Sequence, residues 1–272
     1  MKSFSLASPK YTFHYDDLIV PLFRRMINLE ELKLYLLVQR FDLTYIDGFQ
    51  LYDQFLVYMT QLKKFTFSIK TDVCNRFLKV ELPSNEYIQH SFIGRVYQQV
   101  NSYVHTNSMK TKGKCMIYSL PYEFDYFFDL DNYFQGGIFH KVKYLTMHDR
   151  IPFEHKLFKF ISEDFPFLEF LCIWNSHSSE NKEYSSTLIA FPYLTYLDIK
   201  SAHDDYAELF LLKKNVHLPR LLNLSMQYKT LTMITNNFTN DAMHFSFSKL
   251  KKLDVCQSFI RPQNFREYFP LL

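Results

Sequence analysis

The chain has 272 residues, of which 31 are Lys or Arg and 28 are Asp or Glu, for a net charge of +3. So small a net charge favours neither nucleic acid nor an anionic membrane as a partner, and no apolar run is long enough for a transmembrane helix. The four cysteines lie far apart, without the spacing of a metal site or a disulfide framework. Because the first residues lack the apolar run of a signal peptide, the sequence predicts a cytoplasmic or nuclear protein with reduced thiols.

A pattern apolar-x-x-apolar-x-apolar recurs along the chain. Its neighbouring copies begin 26 to 33 residues apart, and a gap of about three periods separates the second copy from the third. A period of roughly 20–29 residues with this spacing is typical of a leucine-rich-repeat solenoid, in which each copy contributes one strand. In chain order, the copies are Leu29/Leu32/Leu34, Leu62/Phe65/Phe67, Val142/Leu145/Met147, Leu168/Leu171/Ile173, Leu194/Leu197/Ile199, Leu221/Leu224/Met226 and Leu250/Leu253/Val255.

The return segments between the strands are predicted to be helical or irregular. Apolar side chains at helical spacing and early acids with late lysines indicate helices over Pro152–Asp164 and Ala202–Lys214, and weaker signals lie over Asp47–Met59 and Tyr228–Asn237. Residues 72–113 are the least regular part. They are expected to hold a helix near Asn85–Arg95, followed by a hairpin of Val96–His105 with Lys114–Leu120.

These elements predict an α/β fold, an irregular leucine-rich-repeat solenoid with a curved parallel sheet and helices on its convex side. We expect residues 1–272 to form a single array. Met1, Phe4 and Leu6 fit the pattern in phase, and the closing residues Tyr268–Leu272 resemble the entry to another strand. Since a solenoid needs polar caps on its terminal units, the array is expected to be incomplete at both ends.

Residues that could carry chemistry are sparse. Five glycines leave no room for a phosphate-binding loop, and neither a serine-nucleophile elbow nor a His-Glu-x-x-His zinc motif occurs. The groups His148/Asp149/His155 and His203/Asp204/Asp205 are interpreted as helix caps and solvated surface rather than metal ligands. The sequence therefore predicts a protein that is not an enzyme and that uses no metal or cofactor.

The more informative residues alternate with the buried ones along each strand. Outward positions of such an array line its concave surface, where Tyr144, Phe170 and Tyr196 occupy the same position in three successive copies and Trp174 follows Phe170 on its strand. Aromatic side chains with a charged rim are typical of a protein-binding surface. Alternatively, these rings pack between the sheet and other segments of the same chain. An error of one residue in the phase of the pattern would also exchange all inward and outward positions. The predicted partner-binding residues are Tyr35, Lys64, Tyr144, His148, Phe170, Trp174, Tyr196, Asp198, Lys200, Lys252 and Asp254.

The copies MINLEELKL, FPFLEFLCI, FPYLTYLDI, LPRLLNLSM and FSKLKKLDV, which begin at Met26, Phe165, Phe191, Leu218 and Phe247, resemble the repeat portion of F-box/leucine-rich-repeat proteins. That resemblance implies a ubiquitin-ligase substrate receptor, in which the repeats hold the ubiquitination target and an F-box binds the ligase adaptor. This chain departs from the family because it shows no F-box. The closest segment, Leu82–Glu86, lies within the array and is interpreted as a helix start with Ser84 as its cap.

Adaptor binding is therefore expected only if an F-box lies outside this chain. The alternative function is a repeat sensor or scaffold unrelated to ubiquitination, as in innate-immunity proteins where an array gates a nucleotide-binding domain. A phosphate loop in an adjoining domain would favour that alternative.

Overall fold

The computed structural model describes residues 2–75, 80–94, 99–107, 111–178, 188–256 and 260–272. The protein is a mixed α/β protein with parallel sheets, and it divides into two compact units, Met1–Glu123 and Phe124–Leu272. Within the described ranges, no helix combines the length and apolar character that crossing a bilayer requires.

The first unit is built on a five-stranded sheet with strand order β1-β2-β3-β5-β4. Strands β1 to β3 are parallel, while β5 runs antiparallel to both β3 and β4. Its elements are β1 (Ser3–Thr12), a π-helical turn (Tyr15–Ile19), α1 (Val20–Arg24), β2 (Glu31–Phe41), α2 (Gly48–Gln54), a 3-10 turn (Leu56–Tyr58), β3 (Lys64–Cys74), α3 (Asn85–His90), β4 (Val100–Thr106) and β5 (Lys112–Ser119).

The irregular part of this unit matches the sequence prediction in outline. The predicted hairpin is present as the antiparallel pair β4–β5, and the predicted helix is present as the shorter α3. Ser84 caps that helix, since its hydroxyl accepts a hydrogen bond from the backbone N–H of Tyr87 at 3.3 Å. The predicted positions 95–98 lie outside the described residues.

The second unit is built on a six-stranded sheet with strand order β13-β12-β10-β8-β7-β6, in which all pairs are parallel. A second, two-stranded sheet joins β9 and β11. The elements are β6 (Tyr126–Leu130), β7 (Tyr144–His148), α4 (His155–Asp164), β8 (Phe170–Asn175), β9 (Ile189–Ala190), β10 (Tyr196–Ala202), α5 (Asp204–Leu211), β11 (Val216–His217), β12 (Asn223–Met226), α6 (Tyr228–Ile234), a 3-10 turn (Ala242–His244), β13 (Lys252–Val255) and α7 (Phe265–Tyr268).

The helices that the sequence predicted begin and end within their predicted ranges, whereas α1 and α7 were not predicted. Helix α5 starts after His203, whose ring nitrogen Nδ1 accepts from the backbone N–H of Asp205 at 3.3 Å. It ends at Leu211 because Leu212 is extended and forms a β-bridge with Phe245. Similarly, the predicted Asp47–Met59 helix is divided into α2 and the following 3-10 turn.

Burial confirms the inward phase of the strands. In the six-stranded sheet, the fourth pattern position pairs in register from strand to strand, through Leu145, Leu171, Leu197 and Leu224, and these side chains are buried. The sixth position is likewise buried at Met147, Ile173, Ile199 and Met226. Because side chains alternate between the two faces of a strand, this result fixes which residues point outward.

Among the described strands, the sequence pattern missed the two-residue strands β9 and β11 and the longer strand β6 of the six-stranded sheet. Strand β6 lies beside β7, with Phe127 opposite Leu145, but the next pair is Leu130 with Met147, so β6 contains an extra residue. Asp129 absorbs the irregularity with a backbone φ of 62°. This β-bulge shifts the second inward position by one residue, and the repeat pattern does not detect it.

The outward and inward assignments predict different effects for two neighbouring residues of β8. Ile173→Ala removes a fully buried side chain and should lower the free energy of unfolding by about 2–5 kcal/mol. Trp174→Ala truncates a side chain on the opposite, exposed face and should cost less than about 1 kcal/mol. Urea denaturation followed by far-UV circular dichroism measures both values. Equal losses for the two variants would contradict the assigned faces.

Candidate functional site

The outward face of the six-stranded sheet carries an aromatic row. Tyr126, Tyr144, Phe170 and Tyr196 pair in register across β6, β7, β8 and β10. The rings of Tyr144 and Phe170 have centroids 5.9 Å apart, and those of Phe170 and Tyr196 are stacked at 4.8 Å with an interplanar angle of 6°. The ladder predicted from Tyr144, Phe170 and Tyr196 is therefore present, and the structure adds Tyr126, whose strand the sequence pattern had missed.

Stacking decides which part of each ring a ligand could reach. Since one face of Phe170 and one face of Tyr196 are turned toward each other, contact with these two rings relies more on their edges and on the tyrosine hydroxyl. Aromatic edges carry partial positive charge, whereas the faces are negative. At one end of the row, burial raises the pKa of Tyr126, with the Asp125 carboxylate adding to the effect. The hydroxyl of Tyr126 therefore remains a neutral hydrogen-bonding group at physiological pH.

Trp174 and His148 form a second feature of this face. Trp174 is 51% exposed, and the ring of His148 on the neighbouring strand meets it edge to face, with centroids 6.3 Å apart. Nδ1 of His148 lies 3.1 Å from a carboxylate oxygen of Asp129. Asp129 is held in turn by its backbone N–H, which donates to the hydroxyl of Thr146 at 2.9 Å. The bulge in β6 thus orients His148 against Trp174.

The predicted charged residues of this face differ in accessibility. Lys252 and Asp254 are exposed on β13. Asp198 is only 7% exposed, because it accepts a hydrogen bond from the backbone N–H of Lys200 at 3.2 Å and lies 3.4 Å from its ammonium group. The Asp198 carboxylate also raises the pKa of Lys200. Asp198 therefore serves to hold Lys200, and its predicted role as a direct partner contact is corrected.

Tyr35 and Lys64 lie in the first unit, where burial corrects the prediction for Tyr35, while the role of Lys64 stays a prediction. Tyr35 is outward in phase but only 1% exposed, so it cannot contact a partner directly. The chain after β5 returns across the outward face of this sheet. There, Glu123 accepts from Lys33 through its carbonyl at 3.0 Å and pairs with Lys64 through its carboxylate at 2.8 Å. Lys64 is consequently held in an ion pair within its own unit.

Outside this face, the acidic side chains considered above as possible metal ligands make structural hydrogen bonds. Asp149 accepts hydrogen bonds from the backbone N–H of Asn132 at 3.0 Å and of Arg150 at 2.7 Å, which closes the turns after β6 and β7. Asp205 lies 3.1 Å from His203 and accepts from Ser178 at 2.7 Å. Over the ranges that the structure describes, no group of three or more His, Cys, Asp or Glu is placed to hold a metal ion.

No protein-family model, curated protein or solved structure matches the chain. The function therefore has to be inferred from the chemistry of the face itself. That chemistry combines stacked aromatic rings, a half-exposed indole and exposed lysine side chains on a parallel sheet. These are groups that bind other molecules by contact and hydrogen bonding.

The sequence pattern places Cys172 and Cys256 at outward positions. Their rates of alkylation therefore measure the accessibility of this face. Cys172 is buried, and burial raises the pKa of its thiol to about 12, so almost no reactive thiolate is present at neutral pH. Cys256 is exposed. Iodoacetamide at pH 8 should label Cys256 rapidly and Cys172 only after unfolding in urea, as measured by peptide mass spectrometry. Rapid labelling of Cys172 in the folded protein would show that the outward face is open down to the strand backbone.

Proposed function

We propose that the outward face of the six-stranded sheet, with Trp174 and the aromatic row, recognises another protein. The half-exposed Trp174 is the observation on which this proposal chiefly rests. Trp and Tyr are the residues that most often dominate the binding energy of protein interfaces, because they combine a large apolar area with a hydrogen-bonding tip. The contact between His148 and Trp174 limits the freedom of the indole, so less entropy is lost when a partner binds.

The repeat supports a finer proposal for the fold. Strands that succeed one another at 26 or 27 residues, with parallel pairing and inward positions in register, are what a leucine-rich-repeat array requires. In such an array, the outward strand face is the concave binding surface. We therefore infer that this sheet is part of a leucine-rich-repeat solenoid and that its exposed rings lie on the binding side.

The resemblance to F-box/leucine-rich-repeat proteins supports a biological role. We infer that the partner is a protein targeted for ubiquitination and that this chain is the target-binding region of a ligase receptor. The same inference makes the chain a recognition module without catalytic residues. Binding to the ligase adaptor requires an F-box outside this chain.

Removing Trp174 should weaken the interaction without unfolding the protein. We expect Trp174→Ala to reduce partner binding by about 1–2 kcal/mol, or roughly five- to thirtyfold in Kd, and Trp174→Ala with Tyr196→Ala to reduce it further. The partner is first captured from an extract of the source cells with the wild-type chain as bait, and is identified by mass spectrometry. Titration calorimetry with the purified partner then gives Kd for each variant.

Phe160→Ala is the matched control, because Phe160 is 52% exposed on α4, away from the strands. It should leave Kd unchanged. Circular dichroism must show that all variants are folded. The proposal fails if folded Trp174→Ala and the double variant bind the partner as tightly as wild type. In the same capture, a bait made from the full gene product should also recover ligase adaptor and scaffold if the ubiquitination role is correct.

A further inference from the structure

A second row of side chains runs along the turns that precede the strands. Phe167, Tyr193, Arg220 and Lys249 each lie one residue before the first apolar position of their repeat copy, and all four are exposed. The rings of Phe167 and Tyr193 are 5.4 Å apart, and the guanidinium of Arg220 lies 4.8 Å above the ring of Tyr193. Along this turn row, the side chains therefore change from aromatic to basic in chain order. The aromatic row shows the same change.

The basic ends of the two rows lie on β13 and in the turns that precede β12 and β13. Lys252 pairs in register with Asn223, which pairs with Tyr196, so Lys252 continues the aromatic row two strands further on. Lys251 precedes it and is also exposed. We call Arg220, Lys249, Lys251 and Lys252 the basic group.

The basic group is not neutralised within the described part of the chain. There, Arg220, Lys251 and Lys252 have no carboxylate within ion-pair distance. Asp254, two residues after Lys252 on the same face, accepts a hydrogen bond from the hydroxyl of Ser225 at 3.4 Å. Although the net charge of the chain is only +3, four exposed basic side chains thus follow the aromatic row at one end, with the Asp254 carboxylate two residues after Lys252.

The basic group and the aromatic row together favour one class of ligand. Lysine and arginine attract carboxylates, and an arginine stacked on a ring keeps its edge free for bidentate hydrogen bonds. The edges of stacked aromatic rings are also electropositive and contact apolar side chains and carbonyl oxygens well. An acidic peptide that contains an apolar or aromatic anchor satisfies both parts.

Geometry sets the length of that peptide. Six strands at about 4.8 Å spacing span about 24 Å, which an extended chain crosses in about seven residues. Single-stranded RNA would also be attracted by the basic group, but it binds by stacking its bases on open ring faces. One face of Phe170 and one face of Tyr196 cover each other, which leaves fewer open ring faces for RNA bases.

We propose that the outward face of the second unit binds an acidic peptide segment of its protein partner, with the anchor on the aromatic row near Trp174 and the carboxylates on the basic group. This inference rests on the proposed function and names the chemistry of the partner. It predicts that the partner's segment lies across the strands, with its acidic end toward β13.

Selection from a random peptide library of about eight residues tests the ligand chemistry directly. The protein is immobilised and the bound peptides are sequenced. We expect enrichment of peptides with Asp and Glu together with an aromatic or large apolar residue. Failure to enrich any peptide, or enrichment without acidic residues, would overturn the inference.

Charge variants of the protein then show where the carboxylates of the peptide bind. For a synthetic peptide of the selected sequence, we expect K251Q/K252Q to weaken binding at least about threefold and to reduce its dependence on salt. K214Q/K229Q is the matched control, because it removes the same charge from exposed lysines outside the two rows and should change neither quantity. K251E/K252E should bind a peptide with Lys in place of its acids better than the wild-type protein does.

Two further results separate this inference from the proposed function. If the selected peptides lose binding in Trp174→Ala but not in K251Q/K252Q, the face recognises proteins and the acidic-peptide inference is wrong. If labelled oligo-uridine binds more tightly than the selected peptides and is lost in K251Q/K252Q, the basic group serves RNA and the inference is likewise wrong. Loss of the acidic peptides in both variants supports it.

Discussion

The second unit depends on one constraint, the in-register parallel pairing of its apolar strand positions. Leu145, Leu171, Leu197 and Leu224 lie side by side because the strands pair in register, so that their inward side chains share one core. A slip of one residue would turn every inward side chain to solvent. The same pairing fixes the outward positions, so equivalent residues of successive copies form rows. The aromatic row is thus a direct consequence of core packing.

The places where the register shifts explain how polar groups enter this face. Strand β6 has a bulge at Asp129, and the pairing of β10 with β8 shifts between Asp198 and Ser201. A sheltered aspartate lies at each irregularity and contacts a cationic or ionisable neighbour. Asp129, within the bulge of β6, orients His148, and Asp198, just before the shift in β10, holds Lys200. Bulges commonly redirect side chains in this way. The interruption of the repeat therefore determines the geometry around Trp174.

Whether a feature could be predicted from the sequence depends mainly on how far apart in the chain the interacting residues lie. Alternation along a strand is local, so the inward phase, the hairpin and the Ser84 cap were all readable from short patterns. The burial of Tyr35 was not, because Tyr122 and Glu123 return across that sheet from over 50 residues away in sequence, as the contacts of Ser68 with Tyr122 and of Lys64 with Glu123 show. Tyr126 was missed for a different reason, since the bulge displaced its strand from the repeat pattern.

The two faces of the sheet are under different physical constraints, and this difference supports a binding role. Inward positions must be apolar in every copy because they share one core. Outward positions are free to vary, yet the first outward position is aromatic on β6, β7, β8 and β10 and becomes polar or basic on β12 and β13, through Asn223 and Lys252. Cross-strand aromatic pairs add only about 0.2–1 kcal/mol each to stability, and a half-exposed indole adds little burial. Folding therefore does not require this polarised arrangement, whereas a ligand with an apolar anchor and an acidic end does.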